Sequence, residues 1–104
     1  MARIARRTDE HRGICDHGAQ CCPHSVIGSI IEGSVNSLAD GLEIARLNDR
    51  VMHNCPHCGT GTISSASSSV MVDGIGVARI GDTVTYPGGG GIITTGSPKS
   101  FAGD

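Results

Sequence analysis

The chain has 104 residues, enough for one domain, and a formal net charge of −2. That charge excludes attraction to nucleic acid or to an acidic membrane surface through bulk charge. One Phe, one Tyr, no Trp and 16 glycines exclude a large aromatic core, so we expect another source of stability, for which the five Cys and five His are candidates.

The N-terminal segment is basic, but no apolar stretch follows it, so we expect no signal peptide and synthesis in the cytoplasm. It carries Ile4-Ala5-Arg6 followed by Asp9, a pattern that returns in residues 44–49 and 77–82. The recurring Asp has two interpretations. It accepts backbone N–H bonds in a turn while the Arg is solvated, or the Arg pairs with a carboxylate of its own or the next unit.

Residues 10–28, EHRGICDHGAQCCPHSVIG, form the first of two loops that are rich in Cys and His. The second such loop is residues 52–61, MHNCPHCGTG. Both follow an Ala-Arg…Asp strand, so we expect them to emerge at the same end of the molecule. The equivalent third loop, residues 85–91, has neither residue type, and its Tyr86 stands where His53 stands in the second loop.

Residues 28–53 and 61–86 are two copies of one unit, aligned without a gap at an offset of 33 residues. Each copy has a short alternating run that ends in Asp-Gly, a dipeptide favoured in tight hairpin turns. The Ser, Thr and Gly between the apolar positions disfavour helix. Each copy therefore predicts a β-hairpin.

A third copy is divided between the chain ends, with its first half in residues 91–104 and its second half in residues 1–13. A unit that begins at one terminus and finishes at the other implies a closed ring in which the ends meet. We therefore predict one all-β domain, residues 1–104, of three hairpin units around a pseudo-threefold axis. The alternative is a plain sandwich or barrel in which the similarity is accidental.

Imidazole and thiolate groups that converge from two loops favour a tetrahedral site for zinc, with iron as the alternative, and one ion per chain. Such a site can contribute on the order of 10 kcal/mol to folding. About four ligands bind one ion. The preferred candidates are His17, Cys22, His24, His53, Cys55 and Cys58, and the reserves are His11, Cys15, Cys21 and His57. The odd number of Cys makes a disulfide framework the weaker account.

No catalytic residues are predicted, because no nucleophile–base pair or pair of acids stands out. Cys55-Pro56-His57-Cys58 has the form of a thiol oxidoreductase motif, but that chemistry needs a helix N-terminus and the following residues favour a strand. A small zinc-binding nucleic-acid module is another alternative. It requires a basic face with stacking aromatic residues, which this composition does not supply.

The Ala-Arg…Asp strands resemble degenerate forms of the Pro-Ala-Ala-Arg repeat of the PAAR-repeat proteins. The segment VARIGDTVTYPGGGGIITTGSPKSFAGD, residues 77–104, is similar to that family's usual ending. The chain departs from the pattern at two places in the repeat. Proline is replaced by Ile4, Ile44 and Val77, and the glycine before Asp is kept only as Gly81.

The resemblance implies a small β-rich cone with a metal ion, generally zinc, at its apex. Its base would sit on a trimeric β-helical spike protein, one copy per trimer, at the piercing tip of a type VI secretion system or contractile phage tail. Contact with the target envelope and non-covalent cargo effectors are implied as well. Some members carry a toxic enzyme domain, for which 104 residues leave no room.

By the same geometry, the docking face should lie opposite the Cys/His loops, near the Asp-Gly turns. The apolar residues there are Leu38, Met71, Val72 and Phe101. Burial in the core is the other explanation of these four side chains, and the sequence leaves both open.

Overall fold

The computed structural model describes residues 2–15, 24–53, 60–86 and 89–102, with the backbone alone for Cys15, His24 and His53. These ranges contain twelve strands and no helix, and so none that could cross a membrane. The all-β prediction is confirmed. The strands are β1 (Ala2–Arg3), β2 (Glu10–Cys15), β3 (His24–Ile30), β4 (Leu38–Ala39), β5 (Leu42–Glu43), β6 (Arg50–His53), β7 (Gly61–Ile63), β8 (Met71–Val72), β9 (Ile75–Gly76), β10 (Thr83–Tyr86), β11 (Gly89–Ile93) and β12 (Phe101–Ala102).

Six strands close into an antiparallel barrel in the order β10-β11-β2-β3-β6-β7. β2 and β3 pair along the whole of β2, from Glu10 opposite Ser29 to Cys15 opposite His24. β7 is the shortest barrel strand, and it pairs over two residues with β6 and over two with β10. β2, β6 and β10 run in the same direction, so all three end at one end of the barrel, which we call the rim.

Three short hairpins lie at the end opposite the rim. Two of them, β4–β5 and β8–β9, are closed by the turns Asp40-Gly41 and Asp73-Gly74. The four turn residues have φ values between 53° and 81°, the two-residue turn conformation for which Asp-Gly is favoured. The third hairpin pairs β1 with β12, with Ala2 opposite Ala102. The chain ends therefore meet, as the divided third unit predicts.

A closed ring of backbone hydrogen bonds joins the hairpins to the barrel. The N–H of Ala5 donates to the carbonyl of Ala78 at 2.9 Å, that of Ala78 to Ala45 at 2.9 Å, and that of Ala45 to Ala5 at 3.0 Å. All three alanines are fully buried. The three units converge at this ring. The ring fixes the pseudo-threefold axis in the backbone itself.

The barrel core repeats the same aliphatic side chains from unit to unit. Ile30, Ile63 and Ile93 occupy equivalent positions and are at most 1% exposed. Their carbonyls accept the same bond in each unit, from the N–H of the turn residues Thr8, Asn48 and Gly81. Tyr86 is the aromatic member of this core cluster. The core is thus built from isoleucine, valine and alanine, as the low aromatic content requires.

Each recurring Asp accepts two kinds of bond from the Arg three residues before it. The backbone N–H donates at 2.7–2.8 Å and the guanidinium Nε at 2.9–3.1 Å, in the pairs ending at Asp9, Asp49 and Asp82. Two guanidinium groups also reach the next unit, Arg6 to Asp40 at 3.2 Å and Arg46 to Asp73 at 3.0 Å. Each Asp therefore accepts a backbone N–H bond in the turn and also pairs with the Arg of its own unit, as the two interpretations predict. The prediction that the Arg is solvated is wrong.

Candidate functional site

The rim of the barrel brings together the strand ends that carry the predicted Cys and His. β2 ends at Cys15, β3 begins at His24, and β6 ends at His53. Cys15 lies opposite His24 in the register of β2 and β3, and His53 lies opposite Gly28 on β3. The backbone of three neighbouring strands thus delivers one thiol-bearing and two imidazole-bearing residues to this end of the molecule.

Most of the predicted ligands fall on the connections beyond these strand ends. Of the six preferred candidates, His24 and His53 are on strands, and four lie outside the described residues: His17, Cys22, Cys55 and Cys58. The reserves Cys21 and His57 also lie outside them. Within the described ranges, no three His, Cys, Asp or Glu residues form a group that could hold a metal ion. Beyond the described strand ends, the sequence carries further thiol and imidazole groups in residues 16–23 and 54–59.

The donor types at the rim fit zinc better than a hard cation. Residues 15–24 and 53–58 supply thiol and imidazole groups, the ligands of tetrahedral zinc sites, whereas calcium and magnesium take carboxylate and carbonyl oxygens. Residues 16–23 link β2 to β3 and residues 54–59 link β6 to β7. Both connections start from the rim, so one ion could receive ligands from both.

His11, one of the reserve ligands, occupies a core position. It is fully buried, and its Nε2 lies 2.7 Å from the carbonyl oxygen of Met52. A carbonyl oxygen only accepts hydrogen bonds, so Nε2 carries a hydrogen and is engaged with the backbone of β6. This nitrogen is therefore not available to a metal ion.

Tyr86 fills the barrel interior below the rim. Its side chain is 3% exposed, and its ring centroid is 5.9 Å from that of His11. Burial raises the pKa of the Tyr86 phenol above its ordinary value, so the hydroxyl stays protonated at neutral pH. The ring lies over Gly61, and the hydroxyl reaches the position of Gly13. The sequence comparison of Tyr86 with His53 does not anticipate this interior location.

At the hairpin end, three apolar side chains face solvent at equivalent positions. Leu38, Met71 and Phe101 begin β4, β8 and β12, and they are 60%, 57% and 48% exposed. We call these three residues the apolar triad. Val72 differs from them, since it is partly buried against a cluster that includes Ala39, Ile44 and Val77. Exposure is thus the correct interpretation for the triad, and packing against the core is correct for Val72.

Carboxylates at the hairpin turns are fixed by bonds from neighbouring units. The Oγ of Ser34 donates to Asp73 at 2.6 Å, and the Oγ of Ser97 donates to Asp40. The hydrogen bond from Ser34, together with the nearby charge of Arg46, lowers the pKa of Asp73 below its ordinary value. Asp73 therefore stays ionised over a wide pH range and holds its position at the edge of the hairpin end.

The described residues form a closed ring of three β-units, with exposed apolar side chains at one end and strand ends that carry Cys and His at the other. The sequence profile of the PAAR motif family matches residues 22–89, and the chain belongs to that family. No curated protein matches the chain. Family membership indicates a structural spike-tip role in a contractile injection system such as a type VI secretion apparatus or phage tail. Proteins of this family associate with spike proteins.

The alignment of the units predicts the core location of His11 but not the exposure of Val35. His11 stands two residues after Asp9, and the equivalent residues in the other units are Val51 and Val84. That alignment marks it as a core position. Val35, which is 79% exposed at the hairpin end, has the polar or cyclic equivalents Ser68 and Pro98, so the repeat offers no signal for it.

Proposed function

We propose that this protein is a metal-stabilised tip that caps one trimeric β-helical spike protein and helps it to pierce the target cell envelope. The observation that carries the proposal is the apolar triad. Three exposed apolar residues at equivalent positions of three units match a partner with true threefold symmetry, because each unit can meet an equivalent chain end. One copy of the chain then serves one trimer.

Docking through the triad has a clear physical driving force. Full burial of a Leu, Met or Phe side chain contributes about 1.5–3 kcal/mol relative to full exposure. Since Leu38, Met71 and Phe101 are already half-buried, about half of that remains available for each on docking. The charged groups around them include Asp40 and Asp73, already neutralised by Arg6 and Arg46, so docking leaves no unpaired carboxylate from either turn.

The metal proposal concerns the opposite end. We propose one zinc ion per chain, with iron as the alternative, bound by about four of the six preferred ligands. When bound, the ion ties the two Cys/His connections to each other and makes the point of the tip stiff. Transient contact with the envelope belongs to this end, and non-covalent cargo would ride on the assembled tip. Elemental analysis of protein purified without a histidine tag should give about one equivalent.

The thiol oxidoreductase alternative gains no support. After the Cys55–Cys58 motif, which lies outside the described residues, the chain enters strand β7 at Gly61. A helix that starts at such a motif helps to lower the pKa of the catalytic thiol, and the described residues that follow the motif here form a strand.

Docking can be tested with two matched triple variants. The test variant carries Leu38→Gln, Met71→Gln and Phe101→Gln, and the control carries Ile14→Gln, Ile27→Gln and Ile92→Gln on the barrel wall. The control residues are 58%, 37% and 49% exposed. Binding to the purified spike trimer is measured by titration calorimetry, with light scattering for stoichiometry. We expect the test variant to lose about 100-fold or more in affinity, as for a central interface cluster.

The control triple is expected to bind within a few-fold of wild type, with one chain per trimer. Equal binding by both triples would remove the triad from the interface. A stoichiometry of three chains per trimer would contradict the cap.

A further inference from the structure

His11 breaks the threefold pattern of the barrel core. The equivalent positions hold Val51 and Val84, and all three side chains are at most 2% exposed. A polar ring in a site built for an isopropyl group costs free energy unless it is hydrogen-bonded. Here the ring does have a partner, the carbonyl oxygen of Met52, 2.7 Å from Nε2. The imidazole therefore makes a hydrogen bond that the valines at the equivalent positions cannot make.

That bond crosses a strand. His11 is on β2 and Met52 is on β6, and the barrel order places β3 between them. In the register, His11 lies opposite Gly28, and Gly28 lies opposite His53. Residues directly opposite each other in a sheet face the same side. Gly28 has no side chain, so it leaves the interior path from His11 to β6 open.

Met52 lies one residue beyond the described pairs between β6 and its other neighbour, β7. In the part of the chain that the structure describes, β6 pairs with β7 through Arg50 opposite Thr62 and Val51 opposite Gly61. Met52 and His53 extend beyond that ladder towards the rim. The imidazole of His11 thus binds β6 one residue before His53 and one residue beyond the described pairs between β6 and β7.

We propose that His11 is a positioning residue for the metal centre: its Nε2–H···O=C bond to Met52 fixes the end of β6 and so places His53 for coordination. The inference rests on the metal role proposed above, and it assigns His11 no direct contact with the ion. Residues that orient metal ligands from behind typically change metal affinity about 10–100-fold when they are replaced.

The chain itself suggests the test variant, because Val is what the other two units carry. His11→Val keeps an apolar core residue and removes the bond, while His11→Gln keeps an amide donor at a similar reach. Zinc affinity is measured by competition with a chromophoric chelator, and the cobalt-substituted protein gives a ligand-field spectrum. We expect His11→Val to weaken zinc binding about 10-fold or more and to alter the cobalt spectrum, with substantial recovery in His11→Gln.

A second measurement does not depend on the variants. The ¹⁵N shifts of the His11 ring in the protein as purified should show Nε2 protonated. The opposite tautomer would overturn the bond, and wild-type affinity together with an unchanged cobalt spectrum in His11→Val would overturn the positioning role. Loss of folding in both variants would assign His11 to the fold as a whole and would also overturn it.

The outcomes separate this inference from the proposed function. If the purified wild-type protein contains no metal and binds none, both the metal centre and the positioning role of His11 are contradicted. Wild-type protein with one zinc ion and an unaffected His11→Val variant would contradict this inference alone.

Discussion

Gly13 and Tyr86 occupy one space in the barrel, and each depends on the other. A Cβ atom added at Gly13 would lie 2.3 Å from the Tyr86 hydroxyl oxygen and 2.2 Å from the carbonyl oxygen of Gly90. Both distances are far inside van der Waals contact, and the Gly90 oxygen belongs to the backbone. Gly13 and Tyr86 stand at equivalent positions of two units, so the large side chain of one requires the absence of a side chain in the other.

At this scale we predict that Gly13→Ala is strongly destabilising. The methyl group has to displace the β11 backbone or the Tyr86 ring, so we expect a cost of about 3 kcal/mol or more, at the upper end of the range for overpacking. Gly74→Ala is the matched control. No atom lies within 4 Å of its added Cβ, so its cost of about 1–2 kcal/mol comes only from a φ of +76°. Chemical denaturation measures both, and an equal loss in the two variants would contradict the close packing of Gly13 on β11.

The hairpins are coupled to their neighbours through charged turn residues. Asp73, in the turn of the β8–β9 hairpin, accepts bonds from Ser34 and Arg46 of the preceding unit. Asp40 accepts equivalent bonds from Ser97 and Arg6. Exposed ion pairs alone contribute little, but these carboxylates also receive a hydroxyl donor and join two units. The hairpins therefore act as links between units and not as independent elements.

We predict that acid weakens these links. The pKa of Asp73 is lowered by folding, so the unfolded chain binds more protons than the native protein just below the ordinary value of 3.8, and stability falls as the pH falls through this range. Glu10 and Glu32 have lowered pKa values for a similar reason, chiefly hydrogen bonds from Arg12 and Arg50. Melting temperatures between pH 6 and pH 3, an interval of about 3 units around the carboxyl range, should therefore decrease.

Asp73→Asn isolates the contribution of one carboxylate. Asn tolerates the positive φ of this position, so the turn is kept. We expect a lower melting temperature than wild type at pH 7 and a smaller decrease on acidification. An unchanged slope in the variant would show that Asp73 carries none of the pH dependence.

The three units form a closed ring in space, although the chain itself has two ends. The third hairpin uses the two chain ends, and the alanine ring treats all three units alike. The body is elongated, 41 × 23 × 22 Å, with the triad at one end and the rim at the other. Stability therefore depends on closing the ring, and the position of the break in the chain should matter little.

A circular permutant tests this. Joining Asp104 directly to Ala2 leaves Gly103-Asp104 as a two-residue connection, the length of the Asp40-Gly41 turn, and new ends are opened between Asp73 and Gly74. We expect the permutant to fold, because the new connection restores the third hairpin in the same way as the others. Its melting temperature should lie within a few degrees of wild type. Failure to fold, with the control permutant opened between Asp40 and Gly41 failing as well, would contradict the interchangeability of the units.

Much of the fold could be read from residue spacing. The Asp-Gly dipeptides at equivalent positions predicted the hairpin turns, and the divided third unit predicted that the chain ends meet, as Ala2 and Ala102 do. The reason is that identical residues at a constant offset report identical surroundings, and turn conformation is a local property of the chain. The same reasoning placed Cys15, His24 and His53 at one end, because strands of equivalent units must run in the same direction.

Sequence by itself determined the hairpin turns, the ring closure and the family, all of which follow from local preference and repetition. It predicted a loop over residues 10–28, and this was wrong, because Glu10–Cys15 is a barrel strand and pairs with the strand His24–Ile30, which begins inside the predicted loop. Only the tertiary structure decided that the apolar triad is exposed while Val72 packs inward, that Tyr86 fills the space left by Gly13, and that His11 binds β6 across Gly28. Those outcomes depend on contacts between residues far apart in the chain. The repeat predicts features that the three units share, such as the buried isoleucines. It does not predict contacts made by residues that differ between the units, such as His11 and Tyr86.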